Sequence, residues 1–361
     1  MKRTGVADLP LHPGRAPRWL FERMVKLGRA ISEILILEYG RDEFLRRLSD
    51  PFWFQAFSCV LGFDWHSSGT TTVTCGALKE AINLSEYGIS VAGGKGSVSR
   101  KTPDEIKKFG EMLSLSDSRI DSLIYSSRMA AKVDNSAIQD GYNLYHHVFI
   151  FSEDGKWVVI QQGMNEKNRY ARRYHWLSED VKSFVNEPHS GIAGYERKER
   201  VLNMVARESE ECRKACVDIV KENPKKLVNW FRRISYQKTL DGEEMLSMPM
   251  SINWSLMKKI YDFQPTNYEE LLSIRGVGPK TVRSLALIAD LIYGSKPSWR
   301  DPIKFTFTVG GKDGVPYPVD RKVMDETIDI LANSIKEAKI GDREKMKALK
   351  RLRVLIPEGI R

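Results

Sequence analysis

Apolar positions near the start of the chain fall at helical intervals. Leu20, Met24, Leu27, Ile31, Ile34 and Leu35 share one face, which predicts an amphipathic helix over Trp19 to Glu38. Farther on the pattern changes. Thr70 to Cys75 is rich in β-branched residues and is expected to be extended, and Val91 to Ser97, with three glycines, is expected to be a loop. Thr102-Pro103-Asp104-Glu105 reads as a helix start, with threonine as the cap and proline in the first turn. Tyr145 to Phe151 and Lys156 to Gln162 are two β-rich runs joined through Ser152-Glu153-Asp154-Gly155, a hairpin signal because Asp-Gly accepts the positive dihedrals of tight turns. Beyond Asn186-Glu187-Pro188-His189-Ser190-Gly191 the periodicity becomes mainly helical. Helices are expected over Glu196 to Glu222, Pro224 to Ile234, Trp254 to Tyr261, Tyr268 to Ile274, Lys280 to Tyr293, Lys322 to Ala338 and Arg343 to Val354, with a β-like interruption at Lys304 to Val319. The pattern predicts an α+β protein with a mixed α/β domain over residues 1–190 and a mainly helical domain over 191–361.

With 361 residues and 42% hydrophobic content the chain can build extensive cores. No apolar run approaches the roughly 20 residues of a membrane span, and Met1 to Pro10 lacks the apolar centre of a signal peptide, so a cytoplasmic protein with no membrane partner is expected. The sequence does not indicate an oligomeric state. The four cysteines lack the spacing of a zinc site and read as structural thiols. A formal charge of +10 favours a polyanionic partner, since each phosphate neutralised by Lys or Arg releases condensed counterions. Arg343, Lys347, Lys350 and Arg351 recur on one face of the last helix and give part of that charge an address.

A sharper signal lies in Leu271 to Leu285, which reads as helix, glycine-bounded turn, helix. Gly276 and Gly278 suit the turn, Pro279 suits a first helical position, and the apolar repeat from Thr281 onward suits a packed helix. Amide groups at such a helix start lack intrahelical partners and carry the positive end of the helix dipole, so together they can cradle a phosphate. The segment resembles the helix-hairpin-helix motif of DNA repair enzymes, and Gly276-Val277-Gly278-Pro279-Lys280-Thr281 with Val319-Asp320 is similar to the signature of the DNA glycosylase/AP-lyase superfamily typified by endonuclease III. That resemblance implies a Schiff-base nucleophile at Lys280 and an acidic partner at Asp320. It also implies DNA contacts from Arg275, Gly276, Val277, Gly278, Thr281 and Arg283, a duplex or single-stranded substrate that carries damage, and no cofactor. The chain departs from the pattern in the 40-residue interval between Lys280 and Asp320 and in Val282, where a small alanine is usual.

Two other functions fit the sequence. Asp64, His66, His147 and Glu153 could supply metal ligands for a nuclease that uses a divalent cation, although no pair has diagnostic spacing. A non-catalytic DNA or RNA adaptor is the third reading. Arg169, Arg172 and Arg173, interleaved with Tyr170, Tyr174 and Trp176, would extend a nucleic-acid surface by pairing phosphates and stacking bases. Across most of the chain, Gly5 to His12, Arg15 to Phe21, Asp50 to Gln55 and Gly62 to Gly69 resemble an uncharacterised family of archaea and some thermophilic bacteria (domain of unknown function 763). That likeness implies a prokaryotic, archaeal source and assigns no activity.

Overall fold

A computed structural model describes residues 9, 16–63, 67–82, 84–194, 197–223, 226–227, 229–230, 253–303 and 321–355. The first helix, α1 (Arg18–Ser49), is longer than the pattern predicts and kinks at Gly40, whose φ of 86° breaks the helical path. Asp50 caps α2 (Pro51–Leu61) by accepting the amides of Phe52 and Trp53 at 2.7 and 3.1 Å, and Pro51 occupies the first turn. The run expected to be extended at Thr70–Cys75 is instead part of α3 (Gly69–Ala81). Burial explains the reversal: Thr71, Thr74, Cys75, Leu78 and Ala81 fall at helical spacing and all face inward, which outweighs the weak β preference of threonine.

After the short helix α4 (Leu84–Tyr87) the chain enters β1 (Ile89–Lys95), so the glycine run expected to be a loop is largely strand. Gly93 is why a glycine is needed there. Its φ is 95°, and a Cβ would sit 2.3 Å from the carbonyl oxygen of His147 on the neighbouring strand. A 3-10 turn at Gly96–Lys101 leads to α5 (Thr102–Met112), then α6 (Asp117–Lys132) and the two-residue β2 (Ile138–Gln139). The expected hairpin forms as β3 (Asn143–Ser152) and β4 (Trp157–Asn165), followed by β5 (Tyr170–Leu177) and β6 (Gly191–Ala193). These strands make one antiparallel sheet in the order β1-β3-β4-β5-β6.

The segment expected to be one helix from Glu196 to Glu222 is divided. Val201 to Ala206 is buried at every position, and β7 (Leu202–Asn203) pairs with β2 before α7 (Glu210–Lys221) begins. Three further helices follow, α8 (Trp254–Phe263), α9 (Tyr268–Ser273) and α10 (Pro279–Tyr293), and α11 (Arg321–Glu337) and α12 (Asp342–Leu355) end the described chain. The β-like interruption at 304–319 and most of Pro224 to Ile234 lie outside the described residues.

Strict alternation along the strands sorts the core into two clusters. Phe149, Phe151, Trp157, Val159 and Trp176 join residues of α5, α6, α7 and α8–α10. Val148, Ile150, Val158, Ile160 and Leu177 join α1, α2 and α3 together with Leu331, Ile335, Ala348 and Leu352 of α11 and α12. The sheet is therefore covered on both faces, and each cluster draws residues from both sides of position 190. Arg351 strengthens the return of the last helix, donating at 2.8 Å to the carbonyl of Val60 at the C-terminal end of α2. A fragment of residues 1–190 should accordingly show no cooperative thermal unfolding, because its sheet and α1–α3 lose apolar cover from the second half; a sharp transition in that fragment by circular dichroism would contradict the shared cores.

Candidate functional site

The two helices α9 and α10 meet through Ile274-Arg275-Gly276-Val277-Gly278. Asn267 caps α9 by accepting the Glu270 amide at 2.9 Å, and the Glu270 carboxylate accepts the Thr266 amide at 2.8 Å, a reciprocal arrangement that fixes the helix entry. Those hydrogen bonds hold the Glu270 carboxyl below its ordinary range. Between the helices the Val277 amide donates to the Ile274 carbonyl at 3.1 Å, and Gly276 has the positive φ of 103° that this tight reversal needs. Gly278 precedes α10 with no side-chain cap, and the first amide to find a partner in the helix is that of Val282, on the Gly278 carbonyl at 3.0 Å.

Packing leaves this turn facing water. Leu271, Leu272, Ile274, Val277, Val282, Leu285 and Ala286 are buried, whereas Arg275, Gly276 and Lys280 are exposed. Thr281 and Arg283 are half-buried, and burial lowers the Arg283 guanidinium from its ordinary range. Helix α6 anchors the pair from below: Lys132 donates to the Ile274 carbonyl at 3.3 Å, and the Tyr125 hydroxyl donates to Glu269 at 2.7 Å. Gln139 adds a third tie, donating to the Pro279 carbonyl at 2.8 Å. The Lys280 amine forms no hydrogen bond or ion pair among the described residues, and Asp320, its expected acidic partner, lies outside them.

The other expected site residues scatter. Asp64 and His66 lie outside the described residues. His147 stands midway along β3 and Glu153 just past its end, about 20 Å apart along an extended chain, so they cannot share one ion. Glu153 pairs with Arg41 at the hairpin tip. Among the described residues no group of three His, Cys, Asp or Glu side chains could hold a metal. All four cysteines are free and buried.

The expected arginine surface is corrected by the sheet. Arg169 is exposed, but Arg172 and Arg173 are fully buried and point to opposite faces of β5, so neither presents a guanidinium to a phosphate in solvent. Arg172 donates to Asp140 at 2.9 Å and to both oxygens of Asp301 at 2.9 and 2.8 Å, and it stacks on Tyr142. Arg173 donates to Gln55, to the Pro51 carbonyl and to Nε2 of His175, whose Nδ1 donates to the Leu48 carbonyl at 3.0 Å. Burial pushes Arg173 down to about 9 and His175 well below the ordinary histidine range, so His175 is neutral. The signal that could have shown this is the alternation of strand β5, which puts every residue from Ala171 to Leu177 inside a two-sided sheet.

A second polar chain, absent from the sequence reading, crosses the other side of the sheet. Ser127 of α6 is 2.8 Å from Nε2 of His147, whose Nδ1 is 2.8 Å from Oε1 of Gln161. The Gln161 amide nitrogen donates to the Ala130 carbonyl and to Asp134, and Asp134 also accepts from the Trp176 indole and contacts His189. Both partners of the Gln161 nitrogen are acceptors, which fixes the amide orientation and makes Nδ1 of His147 the protonated atom. Nε2 of His147 is then an acceptor for the Ser127 hydroxyl. His189, at the far end, lines a cleft of about 620 Å3 with Arg197, Lys198, Arg300 and Asp301, a lining of mixed charge.

Buried histidines make stability depend on pH. Desolvation, with the nearby charges of His147 and Lys95, pushes His146 down to about 3 from the usual 6.5. The unfolded chain then takes up a proton between those values that the folded chain refuses, so the contribution is intact above pH 6.5 and is lost as pH falls towards 3. His146→Gln should reduce the slope of unfolding free energy against pH by about 1.4 kcal/mol per unit in that window, measured by urea denaturation. An unchanged slope would show that the ring charges within the fold.

Comparison with known proteins places the chain without assigning its chemistry. No curated protein and no solved structure matches it. The family model described as "Protein of unknown function (DUF763)" matches residues 5–319, nearly the whole chain, and the protein belongs to that family.

Proposed function

We propose that the protein binds DNA through the turn between α9 and α10 and acts in a repair-type reaction. The observation that carries this reading is the exposed reversal Arg275 to Lys280. Two cations flank a positive-φ glycine there, and the uncapped start of a 15-residue helix points its amides outward while the apolar residues on both sides are buried. A phosphate seated there would receive amide hydrogen bonds and the helix dipole together. The resemblance to helix-hairpin-helix proteins and the net charge of +10 support the same partner.

Lys280 supports the lyase form of the reading. It stands in the first turn of α10 with its amine exposed and unpaired among the described residues, where a deoxyribose carbon next to a bound phosphate would come within reach. As a nucleophile it must lose its proton to attack the sugar carbon. Asp320 would stabilise positive charge on the sugar, and no metal is needed. The nuclease alternative is weaker because His147, midway along β3, and Glu153, beyond its end, are two of its expected ligands and lie far apart.

Fluorescence anisotropy with a labelled duplex tests the grip. Arg275→Ala and Lys280→Ala should each weaken binding and flatten the slope of log affinity against log salt by about one unit; slopes equal to that of the unaltered protein would place the DNA elsewhere. Borohydride treatment with DNA bearing an abasic site tests the chemistry. The expected result is a covalent adduct that Lys280→Ala abolishes, and an adduct that survives the substitution would remove the lysine from the reaction.

A further inference from the structure

A second concave site, unrelated to the α9–α10 turn, lies where the 3-10 turn at Gly96–Lys101 and the start of α5 face α6 and β3. Its volume is about 220 Å3. Ser127 and His147 both line it, and so do Arg100, Arg128 and His146. Among the described residues no carboxylate does, in contrast to the mixed lining of the larger cleft. Arg100 and Arg128 are exposed and form no ion pair among the described residues, so their charge faces the concavity uncompensated.

At the floor of this site the hydrogen bonds run in one direction. The Ser127 hydroxyl donates to Nε2 of His147, Nδ1 of His147 donates to Gln161, and Gln161 is locked by Ala130 and Asp134. This is the geometry of an activated hydroxyl nucleophile, a base and an amide that orients the base. We propose that Ser127 is the nucleophile, and His147 the general base, of a site that takes a phosphate ester held by Arg100 and Arg128. Ser127 Oγ bonds to phosphorus as the bond from phosphorus to the departing alkoxide breaks. The hydroxyl proton moves to His147 Nε2 and from there to the alkoxide. Water then attacks the phosphoserine, giving its proton to His147, and the Ser127 oxygen leaves and takes that proton back. Burial lowers His147 from the ordinary histidine range, so the ring is neutral and able to accept at neutral pH.

The pocket also explains the glycine run that precedes it. Gly93, with its positive φ, brings β1 to within contact of the His147 backbone, and its amide donates to Glu105 at 2.6 Å. Glu105 is held in turn by Lys79 at 2.7 Å, so the start of α5 is fixed against the strand that carries His147. A larger residue at Gly93 would push β1 away and open that wall.

Labelling of the full chain with an alkyl fluorophosphonate, followed by peptide mass mapping, tests the assignment. The expected result is a single adduct on Ser127, formed at least about 100-fold more slowly in His147→Gln and suppressed by excess p-nitrophenyl phosphate. Because His147→Gln disturbs a buried network, Arg100→Ala and Arg128→Ala provide a second test on the exposed rim. They should retain labelling while losing protection by the phosphate ester. Absence of an adduct on Ser127, or labelling unaffected by His147→Gln, would overturn the nucleophile. Protection that persists in both arginine variants would overturn the phosphate ester as its substrate.

Discussion

Two adjacent arginines on β5, buried on opposite faces of one sheet, hold this molecule together. A guanidinium taken from water into an apolar interior costs several kcal/mol unless its donors are met. Arg172 meets that cost through Asp140 and Asp301, residues that are far apart in the chain and come together only when the sheet is covered by the second half. Arg173 does the same on the other face with Gln55, Thr71 and the Pro51 carbonyl, and so ties α2 and α3 to the strand. Each cation is met by the layer on its own face, so the pair is satisfied only with both layers present. The fold is consequently committed to having both layers in place, a specificity that apolar packing by itself supplies less sharply.

Much of the local structure was legible in the sequence. The β3–β4 hairpin follows from its alternation and its Asp-Gly turn, and α1, α8, α9, α10, α11 and α12 from three- and four-residue periodicity. What failed was local preference set against burial. Thr71 and Thr74 are helical because their hydroxyls meet Gln162 and Ser58 inside the core, and Leu202–Asn203 is extended because β2 pairs with it. Partners that decide such cases lie tens of residues away, outside any window of propensity. The packing of α11 and α12 on the first helices through Leu331, Ile335 and Leu352 is likewise decided by partners far away in the chain.

Candidate chemistry was legible where it depended on the backbone and obscure where it depended on burial. Gly276, Gly278 and Pro279 announce a tight turn between helices, and the turn is there, exposed, with Arg275 and Lys280 on it. By contrast Arg172 and Arg173 have the composition of a nucleic-acid surface and the position of a core. Charge in a sequence carries no depth, and only the two-sided burial of β5 distinguishes the cases. Ser127, His147 and Gln161 gave no signal either, because their spacing of 20 and 14 residues matches no motif and their meeting is made by the packing of α6 on the sheet. The same helix links the two candidate sites: Tyr125 and Lys132 support the α9–α10 turn from one face, while Ser127 and Ala131 line the smaller pocket from the other.

The central claim is that a nucleic-acid phosphate seats on the reversal from Ile274 to Thr281. Hydrogen–deuterium exchange of the full chain, with and without a saturating DNA duplex, addresses it most directly. The amides of Gly278, Lys280 and Thr281 have no helical acceptor, so they should exchange rapidly in the free protein and slow on binding, while β3 and β4 stay unchanged. Binding that leaves the peptide spanning this turn unprotected, or that protects another surface in its place, would contradict the account.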